Sequence, residues 1–406
     1  MSRRKHDPSR SLAFLFLLLC ILLPHVALSQ RLEACHACVP TSVRNQAAIG
    51  FDLGQSYGTS VAYLDNGTTI NLAKVAGSPK YMALTERLMR TPPLESGLRR
   101  PFWRRMTRLA MLTLGLPANR EIAVLAKMVA DLKAETKAAL GAPFGMVVVT
   151  APWQDVWRDD GTLDSDLYDA LVLAGVKPWT FDLGGGPVYM GELNTVLGAS
   201  GRWLCEPYGC GDTDEDDTYQ GVFFISFTNR SLYTSFQRAR CFYKHSWQSL
   251  SAIDAEYGLD EMAKAATPAQ FWDAVRARLA SRVAEHTKHR RHGHYTITVA
   301  VEIVVVAGEA ADNPDFLGVV RDVVRDIPRV HRICFDGEVG CEQGTAVKAD
   351  VELVVLDDPA FAAARGSALL SRLVLEGRWY CSSAECCAES QYLKVGGPWD
   401  KTHVEL

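Results

Sequence analysis

An acid that ends an apolar run and is followed by a glycine turn can order a magnesium ion, while the turn's backbone N–H groups meet phosphate oxygens. Ile49-Gly50-Phe51-Asp52-Leu53-Gly54-Gln55-Ser56-Tyr57 has that form, with Asp52 at the strand end and Gly54 opening the turn. A second string, Phe181-Asp182-Leu183-Gly184-Gly185-Gly186, offers the same residue types and reads either as a phosphate loop or as a Gly-rich turn. Other groupings are less specific. Cys35-His36-Ala37-Cys38 has redox spacing, but a redox site needs a preceding strand, and a structural disulfide is the better reading. His286, His289, His292 and His294 stand among Lys288, Arg290 and Arg291, which suits an exposed loop better than a metal face. The acids of Asp212 to Asp217 alternate as in a calcium loop, yet Asp217 takes the required Gly position and Phe223 the required Glu position. Arg99, Arg100, Arg104, Arg105 and Arg108, interleaved with Phe102 and Trp103, form either an anion patch or a solvated face.

The elements that must position these residues follow from periodicity. Ala47 to Leu53, Gly58 to Leu64 and Thr68 to Val75 read as three meandering strands, with Asp65-Asn66-Gly67 as a hairpin turn. Ile122 to Leu140 has helical periodicity, Gly145 to Thr150 is a β-branched strand, and Asp164 to Ala174 and Gly191 to Ala199 are helical. The pattern then returns. Val222 to Phe227 and Ser231 to Phe236 make a hairpin, with helices near 247–257 and 268–285. Tyr295 to Val306 is a long β-rich run, followed by a helix at Pro314 to Arg325, a strand at Val351 to Leu356 and a helix at Pro359 to Leu375. A βββαβα unit occurring twice predicts an α/β, two-lobed architecture.

Composition agrees with a globular chain: 48% hydrophobic, 22% charged and a net charge of −4, which calls for no nucleic acid partner. Arg3, Arg4, Lys5 and Arg10 precede the apolar Leu12 to Leu23, and Ala27-Leu28-Ser29 suits a signal peptidase, so a signal peptide at 1–29 and no membrane span after its cleavage are expected. An even set of cysteines then remains once Cys20 is removed, as disulfides in an exported chain require. Asn66-Gly67-Thr68 and Asn229-Arg230-Ser231 are glycosylation sequons, and the final His403-Val404-Glu405-Leu406 is one residue from a lumenal retention signal. Secretion and retention in the endoplasmic reticulum lumen stay open.

The Ile49–Tyr57 run resembles the first phosphate loop of DnaK-type heat-shock chaperones, members of the actin-like ATPase superfamily, and the resemblance continues in order over about 47–377. Val148-Val149-Thr150-Ala151-Pro152-Trp153 is similar to the family's Val-Thr-Val-Pro-Ala strand, and Asp169 to Pro178 to the helix after it. Glu192 to Gly201 resembles the first connecting helix, Val304 to Glu309 the adenosine loop with one glycine missing, and Ala362 to Leu369 the second connecting helix. The resemblance implies duplicated ribonuclease-H-like lobes that hold ATP or ADP with magnesium between them. Asp52 would order the metal's waters and Glu192 would polarise the attacking water. Gly54, Gln55, Ser56, Tyr57, Ser226, Thr228, Gly308 and Gly366 would contact nucleotide.

Departures from the family limit that implication. The second phosphate loop falls at Phe224-Ile225-Ser226-Phe227-Thr228-Asn229-Arg230-Ser231, where Ser226 replaces an acid and Thr228, Asn229 and Arg230 replace glycines. No lysine takes the place of the family's catalytic one; Lys74 and Lys80 come too early. With about thirty residues after the Gly366 helix, no peptide-clasping β-sandwich is expected. The expectation is a signal peptide (1–29), a linker (30–45), lobe I (46–218), lobe II (219–380) and a Cys-containing tail (381–406). It binds nucleotide with at most weak ATPase, or keeps the fold as a pseudo-ATPase, a disulfide-stabilised module for a protein partner.

Overall fold

A computed structural model describes residues 42, 45–90, 102–153, 165–178, 188–202, 220–239, 250–286, 290–292, 295–298, 300–327, 332–335 and 351–376. The signal segment, the Asp182 string, the acidic loop at 212–217 and the tail lie outside the described residues. So do the side chains of the cysteines and of the histidines at 286–294.

The first sheet is built from β1 (Ala48–Leu53), β2 (Tyr57–Tyr63), β3 (Thr69–Ala76), β4 (Met146–Ala151) and β5 (Lys177–Pro178), in the order β3-β2-β1-β4-β5. The short β6 (Met190–Gly191) also pairs with β4. The meander β1–β3 is antiparallel, whereas β4 runs parallel to β1 and to β5. Between β3 and β4 come α1 (Pro79–Arg90), α2 (Phe102–Thr113) and α3 (Arg120–Leu140); α4 (Asp166–Leu173) links β4 to β5. Local sequence fixes their ends. Asn119 caps α3 by accepting from the Ile122 N–H, and Gly141, at φ +69°, closes it in the left-handed region.

The second sheet repeats the first. β7 (Gln220–Phe227), β8 (Leu232–Ala239), β9 (Leu250–Asp254), β12 (Ile303–Ala307) and β14 (Glu352–Val355) are ordered β14-β12-β7-β8-β9, antiparallel across β7–β9 and parallel from β7 through β12 to β14. α6 (Pro268–His286) links β9 to β12, and α7 (Pro314–Arg325) links β12 to β14. The same strand order, the same parallel pairs and helices at the same links make two copies of one unit. This is the two-lobed actin-like ATPase architecture. Three short strands, β10 (Arg290–His292), β11 (Tyr295–Thr298) and β13 (Arg332–Phe335), form a separate small sheet.

Two expectations need correction. Residues 250–254 form a strand rather than the helix expected near 247–257, with only a 3-10 turn at Ala255–Tyr257. Pairing of Tyr233 with Ile253 and Thr234 with Ala252 overrides the local helical preference. The Tyr295–Val306 run is two strands in different sheets, not one. The basic stretch at 98–108 contributes a helix, α2. Its Arg108 is buried and ion-paired to Asp169 of α4, so it braces the lobe rather than an anion.

Two further helices tie the lobes together. α5 (Glu192–Ala199) leaves lobe I and puts Leu193, Val196 and Leu197 against Val222, Phe224, Ile303 and Val305 of the second sheet. α8 (Ala362–Glu376) leaves lobe II and puts Leu369, Leu370, Leu373 and Val374 against Val148 and Met190 of the first. Each helix therefore covers the other lobe's sheet. The crossing is close: a Cβ on Gly366 would lie 1.7 Å from the Thr195 carbonyl oxygen. A Cβ on Gly50 of β1 would lie 2.2 Å from the Ala368 amide nitrogen of α8.

Candidate functional site between the lobes

Strand alternation sets the site. In β1, Ile49, Phe51 and Leu53 enter the lobe I core, so Gly50 and Asp52 face the crossing helices. In β7, Phe223, Ile225 and Phe227 enter the lobe II core, so Ser226 faces the crossing helices with Val222 and Phe224. The two hairpin loops, Gly54–Ser56 after β1 and Thr228–Ser231 after β7, meet across the seam. The Gln55 amide donates to Ser226 Oγ at 3.2 Å and accepts from Ser231 Oγ, so a primary amide spans the gap between loops.

Each loop is braced from behind. In lobe I, Tyr81 of α1 donates to the Gly54 carbonyl at 2.8 Å, Thr85 to the Gln55 carbonyl at 2.8 Å, and the Gly77 N–H to the Ser56 carbonyl at 2.8 Å. None of these bonds uses the loop's N–H groups. In lobe II, the Leu259 N–H donates to the Thr228 carbonyl and the Asp260 N–H to the Asn229 carbonyl. Here the loop turns its own donors inward: the Arg230 and Ser231 N–H groups donate to Thr228 Oγ1, and the Thr228 N–H donates to the Ser231 carbonyl. The Asn229 N–H points elsewhere, to a carboxylate oxygen of Glu309 at 3.4 Å. Arg230 stands exposed, 3.7 Å from Asp260.

Beside Gly54 lies an acid pair. Asp52 is 2% exposed and Glu192, the first residue of α5, is 4% exposed. A methyl on Gly54 would sit 3.4 Å from Asp52 Oδ2 and 3.8 Å from Glu192 Oε1, so both carboxyls reach the same space. Asp52 Oδ1 and Glu192 Oε2 are buried with no hydrogen-bond partner among the described residues. Burial holds both carboxyls well above the usual range, and the Asp52 charge raises Glu192 further. The α5 N-terminus partly offsets this at Glu192, since a helix start favours negative charge. At the end of β7, Ser226 stands where an acid would face them. Ser226 pairs with Tyr233, whose hydroxyl accepts from the Trp153 N–H at 3.0 Å. A cavity of about 10 Å³, room for about one water, lies beside Glu192 and is lined also by Trp153, Asn194, Tyr233 and Gln237.

The remaining residues divide. Tyr57 is buried, and its ring lies 4.9 Å from Lys74 Nζ. Ser56 donates to Glu309 at 3.3 Å, and Lys74 is paired to Glu309 at 2.9 Å. Gly308, at φ +108°, packs against the backbone of Phe227, which a Cβ would meet at 2.3 Å. Gly366, for which the resemblance implies a nucleotide contact, sits at the α5–α8 crossing instead. Asp52, Glu192, Gly54, Gln55, Ser56, Ser226 and Thr228 thus come together at the seam. Glu309 and Tyr233 join them without having been singled out as site residues; the missing second glycine after Gly308 was the one signal for Glu309.

The acid pair fits a magnesium ion. That ion takes oxygen ligands, keeps several waters and is commonly held by one or two carboxylates plus substrate phosphates. Two neighbouring carboxyls, each with one orphaned oxygen, are such a half-site, and no group of three or more acids, histidines or cysteines suited to a metal occurs among the described residues.

No family model matches the chain, and no curated protein does. Among solved structures, it is similar to the activator of the 2-hydroxyisocaproyl-CoA dehydratase from Clostridium difficile with bound ADPNP, at 12% identity and a TM-score of 0.37, over 81% of this chain and 96% of that one. It is also similar to the ethanolamine utilization protein EutJ from Carboxydothermus hydrogenoformans, at 13% identity and a TM-score of 0.36, over 84% of this chain and 97% of that one. Superpositions that loose carry no weight; the assignment of the fold rests on the duplicated strand order.

Proposed function

We propose that the chain is a divergent DnaK-like nucleotide-binding protein of the secretory pathway, taking ATP or ADP with magnesium at the seam between its lobes and hydrolysing ATP weakly or not at all. One observation carries this reading: the buried Asp52–Glu192 pair beside the Gly54 turn, with an unpartnered oxygen on each acid. Two ionisable groups held out of water without partners are costly, and a bound cation is the chemistry that relieves the cost. Magnesium, when bound, supplies charge neutralisation for the phosphates. Asp52 and Glu192 would hold the ion, and the Gly54–Ser56 turn offers backbone donors. Weak hydrolysis follows from lobe II, where Ser226 and Tyr233 supply no acid and the Thr228–Ser231 loop spends the N–H groups of Thr228, Arg230 and Ser231 on itself.

The test is the melting temperature during titration with magnesium and ATP. Saturation at 100 times the dissociation constant stabilises by about 2.7 kcal/mol, so a clear rise is expected, and no shift at millimolar nucleotide sinks the reading. The expected rate of phosphate release in the same samples is at or near background. Entry into the secretory pathway is tested separately, by glycosidase sensitivity of the expressed protein. Asn66, in the exposed β2–β3 turn, is the sequon expected to carry glycan.

A second reading is favoured by the Gln55 bridge, which joins the two loops directly across the seam. In that reading the fold is a pseudo-ATPase that binds a protein partner. The same titration separates the two, since a module that has lost its nucleotide shows no magnesium-dependent stabilisation.

A further inference from the structure

Glu309 stands where the two lobes offer their outward-facing donors. One of its oxygens accepts from the Ser56 hydroxyl of lobe I at 3.3 Å and from the Asn229 N–H of lobe II at 3.4 Å; the other is paired to Lys74 at 2.9 Å. Hydroxyl, backbone N–H and ammonium converging on one point from two hairpin loops and β3 form an anion site, and the anion in it is the protein's own. The first two contacts are long for charge-assisted hydrogen bonds, which run about 2.7–2.9 Å. A carboxylate has two oxygens in one plane, and the site's donors are not all met well by it. A phosphoryl group, with three oxygens in a tetrahedron, satisfies such a set better.

The backbone around Glu309 is fixed, so the carboxylate leaves the site only through its side-chain torsions. The Gly308 N–H donates to the Pro359 carbonyl at 3.1 Å and the Ala310 N–H to the Phe227 carbonyl at 3.1 Å. Lys74 is 39% exposed along its side chain, so the site opens to solvent on that side.

We propose that Glu309 is an internal ligand of an interlobe anion site formed by Lys74, Ser56 and the Asn229 N–H, and that a phosphoryl group of an incoming ligand must displace it. The proposal deepens the nucleotide reading and rests on it for the identity of the phosphoryl ligand. It makes Glu309 a gate on affinity: its contacts with both lobes compete with ligand for the same donors.

Pyrophosphate and magnesium ATP are titrated calorimetrically into the wild type, Glu309→Gln, Glu309→Ala and the double variant Glu309→Ala with Lys74→Met. The Gln variant keeps shape and removes charge, so it serves if the Ala variant does not fold. The expected result is pyrophosphate binding at least tenfold tighter in both single variants, with the gain lost in the double variant. Equal pyrophosphate affinity in wild type and Glu309→Gln overturns the proposal, as does the absence of binding to every protein. A gain that survives Lys74→Met overturns the assigned donor set. Tighter pyrophosphate with no ATP binding to any variant supports the gate and overturns the nucleotide reading. ATP binding with one affinity throughout does the reverse.

Discussion

Gly366→Ala destabilises the protein by about 3 kcal/mol, the upper end of the usual overpacking range, and lowers the melting temperature by roughly 4 °C. Two effects oppose each other in this substitution. Ala is the better helix former, which stabilises an interior helix position by about 0.5–1 kcal/mol over Gly. Against that, the added Cβ falls 1.7 Å from the Thr195 carbonyl oxygen, where real contacts stay beyond 3.0 Å. The obstacle is backbone, so no rotamer relieves it, and α5 and α8 must separate by more than 1 Å. Glu192 is the first residue of α5, so the separation also moves one member of the acid pair, and magnesium-dependent stabilisation is expected to weaken with it. Gly318→Ala in α7 is the control. A Cβ there meets nothing within 4 Å, so only the helix-propensity gain remains and stability rises by about 0.5–1 kcal/mol. Equal melting temperatures for the two variants would show that the crossing yields without cost.

That contrast marks how far the sequence could be read. Periodicity located β1, α3, β4 and the β7–β8 hairpin, because each carries its own pattern and its own caps. The strand-and-turn pattern also marked Asp52 and Gly54, while Ser226 was marked by the resemblance to the second DnaK-type phosphate loop. What escaped was decided by partners distant in the chain. β9 reads locally as a helix and is a strand because β8 needs a neighbour. Gly366 reads as a nucleotide contact, but the chain that demands its missing side chain is Thr195, on another helix. Glu309 reads as a faulty copy of an adenosine loop. Its meaning lies in Ser56, 253 residues away, and in Asn229, 80 residues away. The amphipathic α1 was not expected, although Tyr81, Leu84, Thr85 and Leu88 are buried at helical spacing; its Tyr81 and Thr85 hydroxyls brace the first loop. Residues that fit a local period are therefore recoverable from sequence. Residues that answer to a cross-lobe contact are not.

Asp52→Asn is the substitution in which the acid pair itself is tested, and its sign depends on ligand. Burial raises both carboxyls above their ordinary values, and the charge on Asp52 adds to the rise at Glu192. A carboxyl with a raised folded-state value contributes stability that is fully present below its unfolded value, about 4. That contribution is lost as pH rises through the folded value. The ligand-free protein is therefore expected to melt higher at mildly acidic pH than at pH 8, through this pair. Magnesium with nucleotide replaces the proton and reverses the trend, because a cation binds the ionised acids. Asp52→Asn removes one charge and supplies an amide that can donate to the neighbouring carboxylate. The ligand-free variant should gain about 1–3 kcal/mol at neutral pH, the usual cost of an unsatisfied buried polar group, and its pH profile should flatten. In the same variant the magnesium-dependent rise in melting temperature should disappear. Melting curves from pH 5 to 8, with and without magnesium and ATP, read all three effects. An unaltered pH profile would mean that Asp52 is not held with Glu192 at high cost. An unaltered magnesium response would place the cation elsewhere. The two observations fail independently, so the electrostatics of the pair and its use as a cation site are separable by one series of melts.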